Sequence, residues 1–475
     1  MTAMSSEPAA RSPHVYPGSG LDAAVVPTFT AEPGVMPSTT LPEHELAPEL
    51  AHQLVHDELM LDGNARLNLA TFVTTWMEPH AVALMTETAD KNMIDKDEYP
   101  RTAELERRCA RMLADLWHAP DPATAPGCST AGSSEACMLA GLALKRRWRA
   151  RVGPDPGRRP NIVMGANVQV CWDKFANYFE VEPRLVPMQG TRFHLDAEQA
   201  RAHVDEDTIG VVAILGSTFD GSYEPVAEIC AALDDLAAGG GPDVPVHVDG
   251  ASGAMIAPFL DPDLIWDFRL PRVASINTSG HKYGLVYPGL GWVAWRETAA
   301  LPEDLIYRVN YLGDELATFT LNFSRPGAQV AAQYYQFLRL GRDGYTRVQQ
   351  HCRDVATRLA DELEASGPFS LLTRGTELPV VAATLRPGIT HYSVFDISAG
   401  LREHGWQVPA YTFPPERTDL AVLRFVVRNG LTHSLADQLL DDLRRVLARL
   451  DQQPRPMRDA RTDSSFSHTG APNPR

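Results

Sequence analysis

The sequence predicts an α/β protein: a large domain on a mostly parallel sheet, followed by a smaller α+β domain. Three observations carry this. From about residue 125 to 300, short apolar runs alternate with helix-like periodicity, the pattern of strands buried on both faces and joined by crossover helices. A long run of helical spacing over 329–365 then leads out of that region. Beyond it, shorter strand-like and helix-like runs continue to about residue 450.

Residues 1–42 are rich in Pro, Ala, Ser and Thr, show no periodicity, and read as a disordered extension. In the helical segment 43–110, a helix begins near Pro48, whose fixed φ suits a first turn. Leu50, Leu54 and Leu61 are spaced to share its face, and Asp62-Gly63-Asn64 breaks it. Residues 105–117 are helical again, with Leu105, Cys109, Met112, Leu113 and Leu116 on one side. Within the large domain, 111–344, buried strands are read at 161–165, 210–215, 244–248 and 273–278, and a further short run at 289–296. The helix over 225–238 stops at Gly239-Gly240-Gly241. The run 329–365 is helical with an interruption near Gly341 and Gly344. The small domain, 345–453, has strands at 380–384 and 423–427 and a helix over 435–450; residues 454–475 read as a flexible tail.

A chain of 475 residues, 44% hydrophobic and 22% charged, has room for more than one domain and reads as an ordinary globular protein. Its net charge of -17 argues against nucleic acid, which needs concentrated Lys and Arg. No apolar run approaches a membrane span, and the start lacks a basic segment followed by an apolar one. The six cysteines form no CxxC pair or zinc-like spacing. The expectation is a cytoplasmic protein with free thiols, no metal site and no membrane partner.

Chemistry concentrates at Ser279-Gly280-His281-Lys282, which closes the run 273–278. A lysine at a strand end beside small residues suits an amine that holds an aldehyde cofactor as a Schiff base, although an isolated lysine is ordinarily a solvated surface residue. Pyridoxal phosphate also needs donors for its phosphate, a carboxylate for its pyridine nitrogen and a flat neighbour for its ring. Gly132-Ser133-Ser134 opens a helical run and offers N–H and hydroxyl donors. The same stretch also reads as a plain Ser N-cap with Glu135 in the first turn. Asp249 ends the run 244–248, where ligands of parallel sheets bind, one strand before Lys282. Before Gly250 it also suits a turn. Gln169 is a candidate to lie against the ring, and Thr218 to reach its substituents.

These pieces together resemble the glutamate decarboxylases of bacteria and plants, over roughly residues 45–469. The matching motifs are Asp62-Gly63-Asn64-Ala65-Arg66 with Asn68-Leu69-Ala70-Thr71-Phe72, Gly132-Ser133-Ser134-Glu135-Ala136-Cys137-Met138, and His247-Val248-Asp249 with Ala251-Ser252-Gly253. Trp266-Asp267-Phe268-Arg269-Leu270-Pro271-Arg272-Val273, Ser279-Gly280-His281-Lys282 and Asn322-Phe323-Ser324-Arg325-Pro326 follow in order. The resemblance implies the aspartate-aminotransferase-like fold (fold type I), with pyridoxal phosphate at active sites between the subunits of a homodimer or higher homo-oligomer. It assigns the Schiff base to Lys282, the pyridinium partner to Asp249 and the ring stack to Gln169. It places Ser133, Ser134, Ser279, His281 and a neighbouring subunit's Ser324 around the phosphate, and Thr218 against the cofactor. Thr71, Phe72, Asn92 and Asp95 match residues around the substrate's distal carboxylate, and Arg424 the arginine that grips its α-carboxylate. Tyr311 matches a tyrosine suited to proton delivery, and His468 a histidine that closes the site near neutral pH in bacterial relatives.

The implied reaction is α-decarboxylation of L-glutamate to 4-aminobutanoate and CO2, consuming one proton per turnover, with an acid-favoured profile and a role in acid tolerance or 4-aminobutanoate production. Another decarboxylase or an aminotransferase of the same fold is the alternative within enzymes. An inactive scaffold subunit is the alternative outside them, and the intact Asp249 and Lys282 argue against it.

Overall fold

The structure is a computed structural model and describes residues 40–42, 45–155, 157–310 and 316–452. The chain divides into two compact units between Asn64 and Ala65. Among the described residues of the first unit, one helix forms, α1 (Pro48–Leu59), with its proline in the first turn as expected. None of its residues is buried, and Leu61 falls beyond its end.

The second unit is built on β1 (Gly127–Thr130), β2 (Asn161–Gly165), β3 (Glu182–Val186), β4 (Thr208–Ile214), β5 (Val246–Asp249), β6 (Val273–Thr278) and β7 (Gly291–Trp295). They lie in the order β1-β7-β6-β5-β4-β2-β3. From β3 to β6 all neighbours are parallel, and β7 is antiparallel to both β6 and β1. β2 and β4 are largely apolar on both faces because helices cover both. α2 (Pro79–Glu87), α3 (Pro100–Leu116), α4 (Ser133–Val152), α5 (Val170–Tyr178), α6 (Ala197–His203), α7 (Val226–Ala238) and α8 (Ala257–Leu260) supply the cover. Val211 and Ala213 of β4 join a core with Leu113 of α3 and Ile229 of α7. The alternate residues Val212 and Ile214 pack with Leu144 of α4 and Trp172 and Phe175 of α5.

β1 and β3 escape the sequence reading. β1 has four residues, and β3 is an edge strand whose Glu182, Pro183 and Leu185 are exposed. β5 starts later than expected and keeps Asp249 as its last residue. In α3, Cys109, Leu113 and Leu116 face inward, but Met112 does not, being 37% exposed.

β8 (Tyr307–Val309) and β9 (Leu316–Thr318) pair as a small antiparallel ribbon. α9 (Ala328–Ala365) is broken at Gly341, where φ is 56° and ψ -169°; Gly344 stays helical. The second sheet holds β10 (Phe369–Arg374), β11 (Val380–Leu385), β12 (Ala410–Thr412) and β13 (Ala421–Val426), in the antiparallel order β10-β11-β13-β12. α10 (Val394–Glu403) begins with a capping box between Ser393 and Asp396. It packs with α11 (His433–Gln452) on this sheet through Ile397, Leu401, Leu439 and Leu443. β10, β12 and α10 are absent from the sequence reading. No helix of the described residues is long and apolar enough to cross a membrane.

Candidate active site

The register of β5 and β6 builds the centre of the site. Asp249 lies opposite Asn277, and His247 opposite Ser275. Alternation along each strand puts these polar residues on the face covered by α4 and α5. Asp249 Oδ2 accepts from Trp172 Nε1 at 2.9 Å and lies 3.7 Å from Cys137 Sγ. Its Oδ1 accepts from Ala251 N and from Asn277 Nδ2, both at 3.1 Å. The carboxylate is thus oriented by α4, α5, β6 and its own turn. The thiols of Cys137 and Cys171 and this carboxylate lie within 4.8 Å of one another. Burial pushes the Cys137 thiol well up, and as a thiol it donates toward Asp249.

The start of α4 forms the second part. Gly132 is its N-cap and no side chain caps it, so Ser133 and Ser134 belong to the first turn and the alternative of a Ser N-cap does not hold. Ser133 Oγ accepts from Asn277 Nδ2 at 2.6 Å. Glu135 is buried and receives Ala131 N at 2.7 Å and Leu321 N at 3.0 Å, tying the segment before Ser324 to the helix start. The approach is close: a Cβ on Gly291 would sit 2.4 Å from the Gly132 carbonyl carbon, and one on Gly132 would sit 3.2 Å from His281 Cε1. Ser279 is fully buried, and its Oγ has no partner. Burial, together with the neighbouring Lys282 ammonium, lowers His281 to about 4. A helix N-terminus, two serines and an unpartnered buried hydroxyl fit a phosphate.

Lys282 is half-buried, with Nζ 5.4 Å from the centre of the Phe72 ring. Desolvation lowers its amine below the usual lysine range, and the Asp249 charge opposes that. The following turn is held carbonyl by carbonyl. Thr74 N donates to His281 O at 2.8 Å and Thr74 Oγ1 to Lys282 O at 2.5 Å. From α9, Gln349 Nε2 donates to Tyr283 O at 2.8 Å, Gln333 Nε2 and Tyr345 OH to Gly284 O at 3.0 and 2.9 Å, and Gln336 Nε2 to Leu285 O at 3.0 Å. Leu285 itself sits at φ 67°, a conformation L side chains rarely adopt, and this bonding holds it there.

Arg424 of β13 faces the same space. Its guanidinium lies 5.0 Å from the Phe72 ring centre and 5.3 Å from that of Tyr411, and donates to Thr218 O and, at 2.7 Å, to Ala70 O. Its Nε is buried without a partner, so the fork keeps donors for a carboxylate. Arg428, which sequence reasoning missed, donates to the carbonyls of Ala65, Asn68 and Thr71 and so lays the segment carrying Thr71 and Phe72 along β13. Thr71 Oγ1 accepts from Val73 N at 3.1 Å. Gln169 caps α5, its side chain accepting from Val170 N. Asn92, Asp95 and Ser324 are bonded to one another: Asn92 Nδ2 donates to Ser324 Oγ at 3.2 Å, Asp95 N to Asn92 O at 3.2 Å, and Ser324 is exposed. Tyr311 and His468 lie outside the described residues.

Trp172, His247, Ser275 and Asn277 were also missed. The available signal was polar residues at every second position of two otherwise apolar strands, Val246-His247-Val248-Asp249 and Ser275-Ile276-Asn277.

Residues 42–386 match the pyridoxal-dependent decarboxylase conserved domain. The glutamate decarboxylase of Aliivibrio fischeri is 52% identical over 413 residues, 86% of this chain and 89% of its own. Glutamate decarboxylase 5 of Arabidopsis thaliana is 50% identical over 424 residues, 88% of this chain and 86% of its own. The solved glutamate decarboxylase of Lactobacillus brevis superposes with a TM-score of 0.87 at 46% identity, over 90% of this chain and 99% of its own. Catharanthus roseus tryptophan decarboxylase, at 16% identity and a TM-score of 0.75 over 88% of this chain and 92% of its own, shares the fold. Helices on both faces of the mixed sheet, the polar strand ends around Asp249 and Lys282, and identity near one half across most of the length agree: the chain belongs to the pyridoxal-dependent decarboxylases, among the glutamate decarboxylases.

Proposed function

We propose that this chain removes the α-carboxylate of L-glutamate, giving 4-aminobutanoate and CO2 and taking up one proton, with pyridoxal phosphate held at the ends of β5 and β6. The observation that carries the residue assignment is the meeting of Asp249, Lys282, the start of α4 and Arg424 in one place. When bound, the cofactor supplies an electron sink for the pair left by Cα–C cleavage. Lys282 is the amine that holds its aldehyde, and desolvation of that amine favours the nucleophilic neutral form. Asp249, fixed by Trp172, Ala251 and Asn277, supports the assignment of a counter-charge to the ring nitrogen. Ser133, Ser134, Ser279 and His281 receive the phosphate, with Ser324 of a second copy. Gln169 lies against the ring and Thr218 beside it.

Arg424 binds the α-carboxylate through its free donors, and the Phe72 and Tyr411 rings keep its plane fixed. Holding that carboxylate determines which bond to Cα breaks, and so favours decarboxylation over removal of the Cα proton. Thr71, Phe72, Asn92 and Asp95 select the distal carboxylate. Tyr311 delivers the proton to Cα. His468 closes the site as pH rises, in a protein that works in the cytoplasm.

The test supplies pyridoxal phosphate and a panel of L-amino acids to the purified protein and follows CO2 and amine. Glutamate is expected to give equimolar CO2 and 4-aminobutanoate, and Lys282→Ala neither. A keto acid without CO2 would overturn decarboxylation, and faster release from another amino acid would overturn the choice of glutamate.

A further inference from the structure

Asn277 is fully buried in β6, directly across from Asp249. Its Oδ1 lies 2.8 Å from His247 Nε2. Its Nδ2 donates to Asp249 Oδ1 at 3.1 Å and to Ser133 Oγ at 2.6 Å. The neighbours fix which way this amide faces. A carboxylate oxygen accepts, so Nδ2 must point to Asp249 and Oδ1 to His247. His247 then donates from Nε2, and its Nδ1 accepts from Ser275 Oγ at 2.8 Å. This arrangement requires a neutral imidazole. Burial lowers His247 to about 4, even though the Asp249 charge pulls the other way. Hydrogen bonds therefore run in one direction, from Ser275 through His247 and Asn277 to Asp249, with a branch from Asn277 to the first turn of α4.

The consequence lies in the branch. Asp249 also accepts from Trp172 and Ala251, and the Cys137 thiol of α4 lies 3.7 Å from it, one turn beyond Ser133. Among the described donors to Asp249, Asn277 is the one whose side chain also bonds a side chain placed at the phosphate; Ala251 reaches Ser279 N through its own carbonyl, at 3.0 Å. We propose that Asn277 is a positioning residue for the cofactor: its amide holds the Asp249 carboxylate in the orientation in which it meets the pyridine nitrogen, and ties it to Ser133 at the phosphate end. The inference rests on the assignment of Asp249 to that nitrogen. His247 and Ser275 act behind Asn277 and keep its amide from turning over, since the reversed amide would set Oδ1 against a carboxylate.

The experiment compares wild type, Asn277→Leu, Asn277→Asp and Asp249→Ala, each reconstituted with pyridoxal phosphate. The readouts are the cofactor dissociation constant, the visible circular dichroism of the bound cofactor, kcat and KM for glutamate, and melting of the apoprotein. Asn277→Leu removes the amide. Asn277→Asp keeps the shape and the acceptor toward His247 but loses the donor toward Asp249 and Ser133, and it carries the test if the leucine variant does not fold. Both are expected to weaken cofactor binding roughly ten- to a hundredfold, the usual effect of losing a hydrogen bond to a charged group. The dichroism band should change and kcat fall, while KM moves by no more than about threefold because Arg424 and Phe72 are untouched. A packing role alone would lower the apoprotein melting temperature and leave the dichroism as in wild type, and that result overturns the proposal. Wild-type affinity and dichroism in both Asn277 variants, with loss in Asp249→Ala, also overturns it while leaving Asp249 in place. Wild-type cofactor binding in Asp249→Ala would instead remove the assignment of Asp249 and the proposal with it.

Discussion

Glu224 shows how one buried carboxyl ties local geometry to pH. It is buried just beyond β4, accepting from Ile214 N at 2.6 Å, Leu195 N at 2.8 Å and Asn167 Nδ2 at 3.0 Å, and so closes the loop that carries Thr218. Burial raises it from 4.5 to about 7, against these donors. The folded state then binds the extra proton between those two values. The stabilisation is fully present below the unfolded value and is lost as pH rises through about 7. His247 and His281, both lowered to about 4, act in the opposite sense, losing stabilisation as pH falls from the ordinary histidine value through about 4. Glu224→Gln isolates the first effect. The stability of wild-type apoprotein relative to the variant should be greater at about pH 5 than at about pH 8, by roughly 3 kcal/mol at most. Denaturant midpoints at the two pH values measure it, and an equal gap at both would show that Glu224 keeps an ordinary carboxyl affinity. At this scale the sequence is half legible. Asp249 and Lys282 stand out because a strand end before a small residue is where α/β ligands bind. Asn277 and Trp172 do not, because their donors find Asp249 only once β5, β6 and α5 are assembled.

The turn after Lys282 depends on α9, and the helix contains an internal control. Gln349 is fully buried, and its Nε2 satisfies Tyr283 O next to the reactive lysine. Gln349→Leu leaves that carbonyl buried and unpaired, a cost of about 1–3 kcal/mol. It also loosens the turn, so a lower melting temperature and a lower kcat are expected together. Gly341 sits at φ 56° with open space around the position of a Cβ. Gly341→Ala carries only the cost of a backbone region essentially reserved for glycine, on the order of 1–3 kcal/mol, and should lower the melting temperature with kcat unchanged. Equal loss of kcat in both variants would mean that α9 acts through overall stability alone. The helix itself is readable from periodicity. The work of Gln333, Gln336 and Gln349 is not, because polar residues on a helix ordinarily mark its solvated face. The same cause hides β3, whose exposed edge carries none of the apolar run that reveals β2, β4, β5 and β6.

At the scale of the molecule, the alternation of strands and helices over about residues 125–300 makes the fold class legible, but it does not say how many copies complete a site. Asn92, Asp95 and Ser324 are bonded to one another, and Ser324 is exposed. Its hydroxyl accepts from Asn92 and keeps its own proton to donate, and the expectation that it joins the phosphate site of a second copy has a direct test. Lys282→Ala removes the amine from one chain. Ser324→Asp sets a carboxylate against the phosphate contributed to by the other, where like charges repel. In a dimer with shared sites, mixing the two variants gives hybrids with one site carrying both changes and one carrying neither. Equal mixing followed by subunit exchange leaves half of the dimers as hybrids, each with one of its two sites intact. Activity should therefore return to roughly a quarter of wild type, the statistical share of intact sites at free exchange. If Ser324 serves the site of its own chain, every site in every hybrid carries one change and no activity returns. Light scattering on the same mixtures, with a tagged copy to confirm exchange, separates that result from a failure of the subunits to mix.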